Sequence, residues 1–137
     1  MASTTRTIRL REELRAEVDR IAKRSRRSFS EVTQDLLDEA IRMRKIPGIY
    51  FSDEAAGREA KIAGSGLGVW EVVSVLEAVD RDRGVLADRF DWLSDAQIES
   101  ALLYYRAYRD EVDEQVEENR RAALEFGRAA AKRSARR

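Results

Sequence analysis

One short stretch, residues 4–14 (TTRTIRLREEL), constrains the fold of this chain more than any other feature. Ile8 and Leu10 alternate with polar residues, the period of two that indicates a β-strand, whereas the sequence after Arg11 is patterned as helix. A lone strand leaves its backbone N–H and C=O groups without partners, and such groups are nearly always paired in native proteins. The sequence therefore predicts that this strand pairs with a copy of itself in a second chain.

Two helical patterns follow the predicted strand. The apolar stripe of the first helix is Leu14, Val18, Ile21 and Ala22, and that of the second is Val32, Leu36, Leu37, Ala40 and Ile41. Ser28 or Ser30 can cap the second helix, which stops before Pro47-Gly48. A strand–helix–helix unit of about 45 residues has too much surface for its volume to be stable alone. We therefore predict a homodimer, or a higher even oligomer of such dimers. The predicted dimer core contains Ile8, Leu10, Leu14, Val18, Ile21, Val32, Leu36, Leu37 and Ala40.

Residues 4–44 resemble the ribbon–helix–helix DNA-binding fold of Arc, MetJ and many bacterial antitoxins. The resemblance is carried by the T-x-R-L strand, the E-E-L start of the first helix and the R-S-x-S-E sequence that begins the second. In that family the paired strands enter the major groove and their outward side chains read base edges. The resemblance implies that Thr5, Thr7 and Arg9 contact bases, with Arg9 suited to guanine.

The same resemblance implies a phosphate site at the N-terminus of the second helix. Free N–H groups and the helix dipole favour an anion there. The implied phosphate contacts are Arg26, Arg27, Ser28, Phe29 and Ser30.

Charge divides the chain into three predicted regions. Residues 1–47, the DNA-binding and dimerisation domain, contain 12 Lys/Arg against 8 Asp/Glu. Residues 48–108, a small second domain, contain 6 against 11, and residues 109–137, a charged helical tail, contain 8 against 7. From Phe126 onward the tail has five basic residues and no acidic one. A basic head, an acidic middle and a basic end indicate separate tasks.

The middle region is predicted as a β-hairpin followed by a helix, a short helix and a longer helix capped by Ser94. This succession is typical of a helix-turn-helix core. The region also resembles the small bacterial domain of unknown function 433, through Gly57-Arg58, residues 62–66 (IAGSG), Val69-Trp70, Phe90, Leu93-Ser94, Gln97 and the Ala101…Tyr104-Tyr105 run. That family often accompanies PIN-like nuclease genes, so the resemblance implies an antitoxin.

Two features of the middle region invite a ligand site, and in both cases a structural interpretation is favoured. Gly64, Gly66 and Gly68 precede a helix but lack the Lys-Ser/Thr that follows a phosphate loop, so a tight turn is favoured. The aromatic residues Trp70, Phe90, Trp92, Tyr104 and Tyr105 are predicted to be core, although an exposed one would suit an interface. The acidity of the region argues against a second DNA contact.

The tail admits three interpretations. Its few apolar residues predict weak docking on its own domain, so it is either a solvated end or a helix that folds on binding. As an antitoxin arm it would block the acidic metal site of a PIN-like nuclease, because Arg pairs bidentately with carboxylates. The toxin-binding candidates are Arg120, Arg121, Leu124, Phe126, Arg128, Lys132 and Arg133. Alternatively, the basic end contacts DNA non-specifically.

The sequence therefore predicts a mainly α fold with a short N-terminal β-strand: a ribbon–helix–helix dimer, a small α+β helix-turn-helix-like domain and a helical tail. The predicted function is a type II antitoxin that binds operator DNA, represses its own gene and neutralises a PIN-like ribonuclease. A stand-alone repressor and a partition or architectural DNA-binding protein are the alternatives. Without Cys or His we expect no enzyme, cofactor or metal site, and without an apolar leader or span we expect a cytoplasmic protein.

Overall fold

The computed structural model describes residues 3–137. The fold is mainly helical, with six helices and one two-stranded antiparallel sheet in the described chain. Backbone contacts divide it into two compact units, Met1–Ile41 (the head unit) and Arg42–Arg137 (the body unit). The division lies inside a helix, a few residues before the Pro47-Gly48 boundary that the sequence suggests. No helix within residues 3–137 is both long and apolar enough to cross a bilayer.

Two helices form the head unit from Glu12 onward. Helix α1 spans Glu12–Ser25, with Glu12 and Glu13 in its first turn, where acidic side chains complement the helix dipole. Helix α2 spans Phe29–Lys45, and its last turn belongs to the body unit. Val18, Ala22 and Val32 form a small buried cluster against which Phe29 packs. The two predicted helices of the head are therefore confirmed.

The predicted N-terminal strand is not formed in this single copy. Residues 3–11 have no sheet pairing, and α1 begins directly after Arg11, whose backbone is extended (φ −60°, ψ 145°). A strand is defined by hydrogen bonds to a neighbour, and a single copy offers this segment no neighbouring strand.

The body unit begins with a β-hairpin. Strand β1 spans Ile49–Glu54 and strand β2 spans Gly57–Ile62, paired antiparallel from Ile49 opposite Ile62 to Glu54 opposite Gly57. Ile49, Ala60 and Ile62 are buried, so one face of the hairpin covers the core of the body unit. The predicted β-hairpin is therefore confirmed.

Three helices follow, α3 (Val69–Ala78), α4 (Arg83–Arg89) and α5 (Asp95–Ala107). Helix α3 is central because Val69, Val72 and Val73 are fully buried. Ser94 caps α5 as predicted: its Oγ accepts from the N–H of Gln97 at 3.1 Å, and Gln97 Oε1 accepts from the N–H of Ser94 at 2.8 Å.

The glycine-rich segment before α3 is a tight turn, as the sequence favours. Gly64 and Gly66 have φ of 80° and 71°, conformations that side chains other than glycine rarely adopt. The N–H groups of Ser65, Leu67 and Gly68 bond to Ile62 O, Ser65 Oγ and Glu71 Oε1 respectively. These donors are occupied within the turn, so they do not form a cradle for a phosphate.

Helix α6, Arg109–Ala135, is the tail, and only Tyr108 separates it from the end of α5 at Ala107. Val112 is fully buried and Val116 nearly so, and both belong to the core of the body unit. The expectation that the tail docks weakly is therefore wrong for its first two turns, because α3 and α5 provide an apolar surface that accepts Val112 and Val116. Every residue from 117 to 137, the distal tail, is exposed.

Candidate nucleic-acid interface and partner-binding tail

The base-contacting candidates Thr5, Thr7 and Arg9 all lie in the exposed segment before α1. Within residues 3–137 their side chains form no hydrogen bond or ion pair. Ile8, between them, is 66% exposed, and Leu10 is half-buried. The segment thus presents polar and apolar side chains to solvent, and it forms neither a groove nor a cavity by itself.

The turn between α1 and α2 places the candidate phosphate contacts next to one another. Arg26 ends α1 in the left-handed conformation (φ 54°), and the N–H of Arg27 bonds to Ala22 O at 3.0 Å. This backbone arrangement closes the C-terminus of α1 and leads directly into α2. Five candidates that are adjacent in sequence are therefore held in one ordered turn.

The Ser28 side chain caps the α2 N-terminus and satisfies one of its free N–H groups. Ser28 Oγ accepts from the N–H of Glu31 at 3.1 Å and donates to Glu31 Oε1 at 3.0 Å. Phe29 and Ser30 occupy the first two helical positions, where backbone N–H groups have no acceptor inside the helix. These two donors are the ones that an incoming phosphate can use.

The two arginines of the turn differ in their surroundings. Arg27 forms ion pairs with Glu31 and Asp35, and the hydrogen bond to Asp35 raises its pKa. The side chain of Arg26 is exposed and has no partner in the described chain. Arg26 is therefore available to a phosphate, whereas Arg27 first has to leave its carboxylates.

Most of the predicted dimer-core side chains are uncovered in one chain. Of the nine, Val18 and Val32 are buried and Leu10 is half-buried. The other six are exposed: Ile8, Leu14, Ile21, Leu36, Leu37 and Ala40. Ile41, at the end of the same stripe, is exposed as well. The head unit thus carries an uncovered apolar surface formed by both helices and by the segment before them.

The toxin-binding candidates all lie in the distal tail. Leu124 is 57% exposed and Phe126 is 71% exposed. Arg120 and Arg121 both approach Glu117, at 3.5 and 3.7 Å, whereas Arg128, Lys132 and Arg133 have no ion pair in the described chain. Because successive residues of an α-helix are about 100° apart, Leu124 and Phe126 point in directions about 160° apart. One flat surface cannot contact both.

A polar cluster at the α5–α6 junction is not predicted by the sequence. Arg42 Nη1 donates to Tyr104 Oη at 2.8 Å and to both carboxylate oxygens of Glu111 at 3.0 Å, and Tyr104 Oη donates to Glu111 Oε2 at 2.6 Å. The Arg42 guanidinium also lies 3.9 Å from the centre of the Tyr108 ring. Burial, and then the adjacent Glu111 carboxylate, raise the pKa of Tyr104. Contacts between residues 42, 104 and 111 leave no local signal in the sequence.

Two open clefts adjoin this junction. One, of about 360 Å³, is lined by Arg42, Glu111 and residues 106–110, and the other, of about 430 Å³, by Lys45, Ile46, Leu103 and residues 106–108. Neither contains a nucleophile beside a general base. No group of three or more metal-ligating side chains exists among residues 3–137.

Comparisons with known proteins give no match: no family model, no curated protein and no solved structure resembles this chain detectably.

Proposed function

We propose that this protein is a type II antitoxin: a dimer that binds operator DNA through its head unit and neutralises a PIN-like ribonuclease with its distal tail. The observation that carries the proposal is the uncovered apolar surface of the head unit, directly beside an unpaired segment of alternating sequence. A ribbon–helix–helix dimer covers that surface and pairs that segment in one step.

The dimer is supported by the size of the apolar surface. Exposed Ile and Leu side chains occur in both helices and in the segment before them, and burying one such side chain contributes about 1.5 to 3 kcal/mol. Several of them in each chain supply enough stabilisation to offset the association cost of about 4 to 15 kcal/mol.

DNA binding is supported by the charge and layout of the head unit. Pairing residues 5–10 of two copies would direct Thr5, Thr7 and Arg9 to one face of the ribbon. Arg26 and the free N–H groups at the start of α2 would contact the phosphates on either side. The side chains of the paired strands would recognise bases, and the phosphate contacts would position the protein on the DNA.

Capture of a nuclease is supported by the distal tail. Residues 117–137 are exposed and contain 7 basic residues against 3 acidic ones. Such a helix complements a metal-binding cleft lined by carboxylates, where a guanidinium can replace the cation.

The test of the head compares Arg9→Ala with Arg6→Ala, which removes the same charge from the other side of the predicted strand. We expect Arg9→Ala to weaken operator binding by about 1–3 kcal/mol and to relax its sequence preference, as measured by titration of operator and scrambled duplexes. Leu10→Asp should abolish dimerisation and DNA binding together. A Leu10→Asp protein that is still dimeric and still binds its operator contradicts the ribbon.

The test of the tail uses a chain ending after Glu118, because this cut keeps Val112 and Val116 in the body core. We expect it to bind operator DNA as the full chain does, but to recover no nuclease when tagged protein is purified from its native gene setting. Recovery of the nuclease by the shortened chain would move the interface to the body unit.

A stand-alone repressor is the second candidate, and one observation favours it. The first two turns of α6 complete the core of the body unit, so the helix has a structural role without any partner. If tagged full-length protein recovers only its own copies and DNA, this candidate replaces the antitoxin.

A further inference from the structure

Trp92 is an exposed aromatic residue that has no role in the proposed DNA binding by the head unit or nuclease binding by the distal tail. The sequence predicts it to be core, but it is 63% exposed and packs edge-to-face with the buried Phe90, at a centroid distance of 5.3 Å. Asp88, Asp91 and Asp95 are exposed, lie within four residues of Trp92, and form no ion pair in the described chain; Arg89 is the one basic residue among them. We call Trp92 and these three aspartates the Trp92 patch.

One face of the distal tail has the complementary character. Successive residues of a helix differ by about 100°, so Arg121, Leu124, Arg128 and Lys132 lie within about 80° of one another. This Leu124 face combines an exposed apolar side chain with cations, of which Arg128 and Lys132 have no acidic partner among residues 3–137. Arg133, about 180° from Leu124, lies on the opposite face.

The distal tail does not reach the Trp92 patch of its own chain. Val112 and Val116 fix the base of α6 in the body core, and the helix continues without interruption to Ala135. Residues 117–135 therefore extend about 28 Å beyond the last buried residue, at 1.5 Å per residue. All of them are exposed, so an occupant of the patch that has this sequence comes from another copy.

We propose that the Leu124 face of one copy docks on the Trp92 patch of a second copy. Leu124 covers part of the indole ring, and the cations beside it pair with the unpaired aspartates. An Arg over an indole face adds cation–π attraction, which is strongest for Trp. Two copies that exchange tails in this way form a closed, two-fold arrangement, so the contact does not propagate into fibres.

This contact would regulate the tail. The docked face includes Arg121, Leu124, Arg128 and Lys132, which belong to the set proposed to bind the nuclease, whereas Phe126 and Arg133 remain outside it. A partner that takes the Leu124 face must displace the second copy, so self-association lowers the apparent affinity of the tail for that partner.

The test uses Trp92 emission in a mixture of two full-length variants. The reporter chain carries Trp70→Phe, which leaves Trp92 as its only Trp. The second chain carries Trp70→Phe and Trp92→Phe and a nitroxide on an introduced Ala131→Cys, a unique thiol because the chain has no Cys. Ala131 lies on the Leu124 face, so we expect the label to quench most of the Trp92 emission, whereas a label at Ala129→Cys, on the other side of the helix, should quench much less.

Charge variants decide whether the contact is the proposed one. Arg128→Glu on the labelled chain should restore emission, the matched Arg133→Glu should not, and Asp91→Arg on the reporter should bring quenching back against Arg128→Glu. Equal quenching by both labels, or none by either, overturns the proposal. The proposal is also overturned if no quenching is seen and both charge variants, Arg128→Glu and Arg133→Glu, lose binding to DNA, because the basic end of the tail then binds nucleic acid. Operator binding is measured separately, so failure of this contact is distinguishable from failure of the proposed function.

Discussion

The head and body units differ in how far they bury their apolar side chains. The body unit closes a core around α3, with Ile62, Leu86 and Tyr104 fully buried. The head unit buries three small side chains and leaves Leu and Ile exposed along both helices. Two helices form one layer, and a layer with an apolar face is stable only when another layer covers it. The body unit contains that second layer, and the proposed dimer would supply it to the head unit.

The largest effect expected from this difference lies in the body core. Leu86→Ala should lower the free energy of unfolding by about 2–5 kcal/mol, because it removes a fully buried side chain and leaves a cavity. Denaturant titration measures the loss, which should not depend on protein concentration. Val85→Ala, at the exposed neighbouring position, is the control and should change stability by less than about 1 kcal/mol.

The head should respond differently to the same kind of truncation. Leu37 is 55% exposed in one chain, so Leu37→Ala should cost little if the head acts alone. If a second copy covers Leu37, the loss should approach about 2 kcal/mol or more, and the melting temperature should rise with protein concentration. Leu103→Ala, at an exposed leucine of the body unit, is the matched control. A small, concentration-independent loss at Leu37 would contradict the dimer.

Local signals in the sequence predict local structure in both units. Ser28 and Ser94 begin helices because a hydroxyl can accept from an N–H three residues later, a relation contained in a few consecutive residues. The hairpin and the helices after it follow from periodicity in the same way. Secondary structure is predicted accurately where the interactions that determine it join residues close together in the sequence.

Contacts between distant residues are not predictable in this way. The bonds that join Arg42 to Tyr104 and Glu111 span more than sixty residues, and nothing in the local pattern distinguishes these side chains from other surface charges. The same reason explains the errors on Trp92 and on the base of the tail. Whether an aromatic or a valine is buried depends on which element lies opposite, and α3 provides that surface for Val112 but not for Trp92.

The polar junction of the body unit provides a third prediction. Tyr104→Phe should cost about 1–2 kcal/mol at neutral pH, because it removes the part-buried hydrogen bonds of the hydroxyl to Glu111 and Arg42. The pKa of Tyr104 is raised in the folded state, so the unfolded chain ionises first as the pH rises past 10. Stability present below pH 10 should then decline above it, and the decline should be smaller in Tyr104→Phe. Burial, and then the hydrogen bond to Asp113, raise the pKa of Tyr105 as well, so Tyr105→Phe should also reduce the decline. An unchanged decline in Tyr104→Phe would contradict this account.

The smallest effect is expected at Arg26, and its sign is reversed. Arg26 has a left-handed backbone (φ 54°), which costs a non-glycine residue about 1 kcal/mol, so Arg26→Gly should stabilise the head by about 0.5 to 1 kcal/mol. If its exposed guanidinium contacts a phosphate, the same variant should bind operator DNA more weakly and reduce the salt dependence by about one ion. Arg26→Lys keeps the charge and should show neither change. A gain in stability with unchanged DNA binding would mean that the strained residue serves neither the fold nor the operator. A gain in stability accompanied by weaker DNA binding would show that the head unit keeps a strained backbone at Arg26 because its side chain contacts a phosphate.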